Sequence, residues 1–274
     1  MVVGDRLEVS TRANRAAWRA YVRQVHARRE IALRRRARAA LRAQRAALVD
    51  SLDALPVKWW GGAVHRDLLG DVLSALFGVD LDTLMGDEVR DALRAALRAG
   101  FRYGADGIGR PALQWLTPRV DATTDAQLGQ LVTRTSQGTR DRVGALARLV
   151  LDEGGTIADL QARIQTDLGF GPMRSLRIAR TETTRAVDAG SRAAWQDVAD
   201  NEGVIVRRQW LAELDGATRE AHRLLSGQER GIAEAFEVPS GDYAGAKGMG
   251  PGSFASAALV VNCRCTTIPV VVDP

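Results

Sequence analysis

Lysine is nearly missing from this chain: Lys58 and Lys247 are the only two, although Lys and Arg together number 38 in 274 residues. Positive charge is carried by arginine, as a GC-rich coding preference would favour, so the placing of the arginines informs more than their number. Cysteine is scarce too, with Cys263 and Cys265 alone. One intervening residue strains a bond between them, which excludes a disulfide framework and leaves reduced thiols as the expectation. No run approaches the roughly 18 apolar residues of a membrane span. The opening MVVGDRLEVS lacks the basic-then-apolar order of a secretory signal. A soluble protein made in the cytoplasm, with no membrane partner, is expected. The 46% hydrophobic and 26% charged content is an ordinary globular balance, enough for one large domain or two modest ones.

Acidic residues are the next absence. Residues 11–49 hold twelve arginines against Glu30 alone, a local charge of +11 in a chain of net +5, so the remainder sums to −6. Such asymmetry marks a basic arm for a polyanion or an acidic partner surface, with a solvated charged helix as the bland alternative. Glycine and proline are also missing from Thr11 to Leu55, and apolar residues recur there at helical spacing: Trp18, Val22, Val25, Leu33, Ala37, Leu41, Leu48, Leu52 and Leu55. One helix of this length reaches on the order of 65 Å, so it is expected to project or to pack against a partner. Its stripe is thin and alanine-rich where Arg34, Arg35, Arg36, Arg38, Arg42 and Arg45 encircle it, and a break in the stripe is expected there. These six arginines are the candidate nucleic-acid contacts. Beyond Trp18 and Tyr21 no aromatic interleaves with them, which disfavours single-strand stacking.

Pro56 ends the arm, and Trp59 to Gly62 reads as a hinge. Helical patterns follow at about 65–77 and 87–103, the latter closed by a Gly104 to Gly109 turn; GADGIG is no phosphate loop, because it follows a helix and lacks the lysine. Further helices are expected at about 124–152, from a Thr156/Asp159 capping box to about Leu168, and from Met173 to Ala199, where Gly190 would admit another backbone. After Gly203 the pattern changes. Val204 to Leu211 reads as a strand, about 217–225 as a short helix, and 259–272 as one or two strands. The glycine-rich 226–256 between them is a loop of unusual length. The expected fold is mainly α with a small C-terminal α+β domain and a long basic N-terminal helix. Its divisions are a basic arm at 1–57, a helical region at 58–153 and an α+β domain at 154–274.

Three segments of that last division, RIARTETTRAVDAGSRAAW, QWLAELDGATREAHRLLSG and VNCRCTTIPV, together resemble the Mu F-like minor head proteins of tailed phages. The matching positions are Arg180, Glu182, Trp210, Asp215, Arg219, His222, Asn262, Cys263, Arg264 and Cys265. The loop GMGPGSFASAAL departs from the family pattern in having less proline and aspartate. The resemblance implies a non-enzymatic minor capsid protein acting in head assembly and DNA packaging. Its partners would be the portal, the major capsid protein or the scaffold, with DNA as a non-specific second partner. Its place would be the capsid interior or portal vertex, after assembly in the host cytoplasm. Some members carry an appended toxin domain, for which the nine residues after Cys265 leave no room.

Asp215 is placed to cap the helix after it, and Arg219 and His222 share a helical face that could point the imidazole at a strand bearing the cysteines. His222, Cys263, Cys265 and Asp215 form an acceptable zinc set. Cys-x-Cys is not the usual knuckle spacing, so no cofactor is the first expectation, with the cysteines in a core and His222 in an ordinary hydrogen bond. An enzyme using Arg180, Glu182 and His222 is the remaining alternative. No nucleophile, base and oxyanion donors assemble around them in the sequence, and a role joining helix to sheet suits Arg180 and Glu182 better.

Overall fold

Alanine, leucine and arginine are strong helix formers, and the arm is built almost wholly from them. In the computed structural model, which describes residues 22–56, 66–109, 116–202 and 205–272, one π-helical turn, Val22–His26, runs into helix α1, Ala27–Asp53. The expected hinge at Trp59 to Gly62, and Trp18 and Tyr21, lie outside the described residues. Then come α2 (Arg66–Phe77), α3 (Leu81–Gly107), α4 (Leu116–Asp152), α5 (Ile157–Thr166), a 3-10 turn (Leu168–Phe170) and α6 (Pro172–Glu202). The capping box that opens α5 is complete: the Asp159 amide donates to Thr156 Oγ1, and the Thr156 amide to Asp159 Oδ2 at 2.7 Å. No helix among the described residues is long and apolar enough to cross a membrane.

By packing, the chain forms two compact units, each drawn from more than one stretch. One comprises residues 34–90 and 127–176 and is wholly helical. Leu48 and Leu52 of α1, Val72 and Leu76 of α2, Leu81, Val143, Ala147 and Val150, and Ile157, Leu160 and Ile164 of α5 make its core, with Phe170 at one side. The expected break in the α1 stripe is absent. Ala37, Ala40, Leu41, Gln44, Leu48 and Leu52 are all buried, so this part of α1 is an integral core helix rather than a projecting arm. Alanine's small side chain keeps the backbone close to its neighbours, while arginines occupy only the opposite side. Gln44, the one polar residue on the stripe, donates to the Leu81 carbonyl at 2.7 Å and accepts from Thr139 Oγ1 at 3.3 Å, which satisfies its buried amide.

The other unit takes the remaining described residues, including those from 91 to 126 and from 177 onward. Here α3 and α6 cross with their backbones nearly touching. A Cβ added at Gly100 would stand 2.2 Å from the Val187 carbonyl oxygen, and one at Gly190 would stand 2.2 Å from that of Leu97. Ser191 Oγ donates to the Gly100 carbonyl at 2.9 Å and the Trp195 indole to the Gly104 carbonyl at 3.0 Å. Gly104 is therefore part of this contact and not the start of a turn; the helix continues to Gly107.

Strand β1 (Ile205–Leu211) is the centre of a three-stranded antiparallel sheet, between β2 (Glu229–Gly231) and β5 (Thr266–Val272). Helix α7 (Glu220–Leu225) follows β1. Two-residue strands β3 (Phe236–Glu237) and β4 (Lys247–Gly248) pair within the stretch expected to be a bare loop, and the carbonyls of that stretch also receive a buried arginine described below. Residues 257–260 form a helical turn, α8 (Ala257–Val260), so β5 is the single strand of the closing segment. Trp210, Leu225, Phe236, Val238, Leu259, Cys263 and Cys265 pack into the core under this sheet. The fold is mainly α with a small C-terminal α+β part.

Because the α3/α6 contact is backbone against backbone, Gly190→Ala is expected to cost about 3 kcal/mol or more through overpacking. Gly129→Ala, in α4 with open space around its Cβ, should add roughly 0.5–1 kcal/mol. Urea unfolding monitored by circular dichroism separates the two; equal midpoints would refute the tight crossing.

Candidate functional site

Asn262 adopts a left-handed backbone, φ 63°, and turns the chain so that Cys263 and Cys265 leave α8 on a loop rather than on a strand. Two threonines of α6 fasten this turn. Thr181 Oγ1 accepts from the Asn262 amide at 3.0 Å, and Thr184 Oγ1 donates to the Cys263 carbonyl at 2.8 Å. Both lie in the RTETT phrase, and neither was singled out from the sequence, where threonine in a helix carries no distinctive signal.

His222 meets the turn from α7. Its Nδ1 lies 3.7 Å from Cys263 Sγ and 3.4 Å from Cys265 Sγ, and its Nε2 lies 3.0 Å from the Leu259 carbonyl oxygen. All three side chains are buried and both cysteines are free thiols. The hydrogen bond from Cys265 and then the His222 ring push the Cys263 thiol well down despite burial; Cys265, the donor, is pushed well up. Trp210 packs edge-on to His222 at 5.7 Å, to Phe236 at 5.3 Å and to Phe254 at 5.9 Å.

Asp215 does not join this group. Its carboxylate accepts from the Ala217 amide and Thr218 Oγ1 and pairs with Arg264 at 2.6 Å. Nor does it cap α7, whose N-cap position is Arg219 without a side-chain cap bond. The short side chain closes its own local turn instead, four residues ahead of the N-cap position. Arg219 reaches across to donate to the Val261 carbonyl.

Glu182 and Arg185 form a buried ion pair at 2.8 Å, and Arg185 Nε donates to the Gly252 carbonyl at 2.9 Å, so the pair ties α6 to the glycine-rich stretch. Arg180 turns the other way and pairs with Glu30 at 3.4 Å, next to His26, whose Nε2 bonds Thr184 Oγ1 at 2.9 Å. Arg180, Glu182 and His222 thus have separate partners, and no nucleophile, base and oxyanion donors assemble among the described residues.

Arg208, fully buried on β1, also escaped the sequence reading, because an Arg-Arg pair in a strand looks like a solvated face. It donates to the carbonyls of Gly231, Glu234 and Met249 and lies 5.1 Å over the Phe236 ring. Burial lowers its pKa to about 10, and Asp188 opposes that shift. Asp188 accepts from Thr267 Oγ1 at 2.6 Å and from Arg192 at 3.2 Å, while burial pushes its carboxyl upward.

Of the six arginines on α1, two are engaged within the chain: Arg36 pairs with Glu88 at 3.3 Å, and Arg45 donates to the Gln165 carbonyl at 2.9 Å. Arg34, Arg35, Arg38 and Arg42 are exposed and have no ion pair or hydrogen bond among the described residues.

A helical chain closed by a small α+β part, in which a His-Cys-Cys turn is pinned to the RTETT helix, defines a class by its motif order. Residues 143–268 match the family described as Phage Mu protein F like protein. Over 121 residues, 44% of this chain, it is 35% identical to the NAD(+)–arginine ADP-ribosyltransferase EFV of Enterococcus faecalis. Over 118 residues, 43% of this chain, it is 36% identical to the minor head protein GP7 of Bacillus phage SPP1. The chain spans 24% of the length of the first and 36% of the second. No solved structure matches it.

His26 gives a pH test of the RTETT anchor. Burial holds its pKa below the ordinary 6.5, with Glu30 opposing and Arg180 reinforcing. The folded state therefore resists a proton that the unfolded chain accepts. Stability should be full above pH 6.5 and decline as pH falls toward the folded pKa, by at most about 1.4 kcal/mol per pH unit. In His26→Gln the difference in unfolding free energy between neutral and mildly acidic buffer should shrink; an unchanged difference would show that His26 does not titrate against the fold.

Proposed function

We propose that this chain is a component of a tailed-phage head, with the Mu F-like domain as its assembly module and the arginine ridge of α1 as a docking surface. The match of residues 143–268 to the Mu F-like family carries this reading, and the likeness to a phage minor head protein supports it. Arg34, Arg38 and Arg42 recur every four residues and form one exposed row beside Arg35. Like charges at that spacing destabilise a helix slightly, so the row does nothing for the fold that a neutral row would not do better. It suits an acidic surface on the portal, the major capsid protein or the scaffold. The test is co-expression with those three head proteins and sedimentation of the assembled heads. Wild type should travel with the heads, and glutamine at Arg34, Arg35, Arg38 and Arg42 should release it; a wild-type chain that stays behind overturns the proposal.

DNA is the second reading, supported by the same row and relevant to packaging inside the head. Contacts to phosphate alone would be insensitive to sequence and would fall with salt at a log–log slope of about −0.9 per contact, so four arginines predict roughly −3.6. A salt titration on two unrelated duplexes checks this. The four glutamines should abolish the slope; no binding at low salt leaves docking on protein alone.

The transferase name of the Enterococcus relative suggests chemistry on NAD, but the separate partners of Arg180, Glu182 and His222 support a structural use of these residues. Incubated with NAD and arginine-bearing protein, the chain is expected to leave both unmodified. Turnover abolished by Glu182→Gln in a folded variant would reverse that conclusion.

A further inference from the structure

The geometry around His222 reverses the order of the two readings that the sequence allowed. In an ordinary core, His222 Nδ1 would accept one thiol proton. A neutral imidazole has a single lone pair there, yet two sulfurs stand at 3.7 and 3.4 Å from it, and all three ligating atoms lie within 4.8 Å of one another. Zn–S bonds of about 2.3 Å and a Zn–N bond of about 2.05 Å at the tetrahedral angle give an S···N edge of about 3.6 Å. The two observed edges bracket that length.

The surroundings fit the same purpose. The Leu259 carbonyl at 3.0 Å takes the Nε2 proton, which fixes the tautomer that leaves the Nδ1 lone pair facing the sulfurs, as in metal-ligating histidines generally. The Trp210 indole N–H beside this turn is buried with no acceptor in hydrogen-bond geometry among the described residues. The left-handed Asn262 turn, pinned by Thr181 and Thr184, holds both cysteines on the side of the histidine.

We infer that His222 Nδ1, Cys263 Sγ and Cys265 Sγ bind one zinc ion, which clamps the closing turn to α7 beneath β1. Two thiolates cancel the charge of the dication, so the buried site is neutral; whatever protons the thiols carry pass to solvent on binding. The soft sulfur donors exclude magnesium and calcium. Asp215 is not a ligand, since its carboxylate is held by Arg264, and the fourth position goes to water. This inference is independent of the head-protein reading.

Metal analysis of the full chain, expressed with added zinc and dialysed, should find one zinc per chain. Replacement by Co2+ should give thiolate-to-cobalt charge-transfer absorption and the visible bands of a tetrahedral site. Asp215→Asn should keep the metal; Cys263→Ser, Cys265→Ser and His222→Gln should lose it. The cobalt spectrum is read on wild type and so stands even where a ligand variant fails to fold. Wild type with zinc at buffer background and no cobalt band overturns the proposal, as does copper in place of zinc or loss of metal in Asp215→Asn.

Discussion

The near contact of the α3 and α6 backbones at Gly100 and Gly190 is the constraint on which the C-terminal part rests. It fixes α6 in depth and rotation, because no side chain intervenes that could repack. With one face of α6 held there, Thr181, Glu182, Thr184, Arg185 and Asp188 are presented to the chain that returns after β1. Between them these polar residues take hold of three pieces: the two threonines the Asn262 turn, Arg185 with its partner Glu182 the Gly252 loop, and Asp188 the start of β5. A segment with little regular structure is ordered by side chains of a rigid helix.

Such a design places charge inside the protein. Arg208 is buried on the central strand and earns its place through the carbonyls of Gly231, at the end of β2, and of the irregular residues Glu234 and Met249. A guanidinium has five donors in a planar fork, so one side chain can satisfy several loop carbonyls that no neighbouring strand could reach. Removing it would leave those buried carbonyls without their donor, which costs more than the lost bonds are worth in isolation. The glycine-rich stretch is thereby a structured part of the domain, though its strand residues number only seven, in the β3–β4 ladder and in β2, which pairs with β1.

The arm illustrates the opposite economy. One side of α1 is an unbroken core stripe and the other a row of arginines, and the two share a helix because a 3.6-residue period separates them cleanly. An interaction surface on such a helix is rigid, since the buried side fixes the exposed one. That rigidity suits docking onto an assembled surface better than a projecting arm would.

Periodicity in the sequence by itself determined the helical order, the capping box at Thr156, the β1 strand and the small-residue approach at Gly190, all of which depend on neighbours a few residues apart. The order of the three C-terminal phrases was equally legible, and the match to the Mu F-like family falls on that part of the chain. Only the tertiary structure decided the rest. Whether the alanines of α1 faced a core, whether Gly104 ended a helix or touched one, and whether Arg208 was solvated or buried all depend on partners far along the chain. The same holds for the site: spacing brought Cys263 and Cys265 together, but Asp215 was drawn off by Arg264 and His222 was aimed by a carbonyl 37 residues away. Ligand geometry of this kind is set by long-range packing, and local pattern does not encode it.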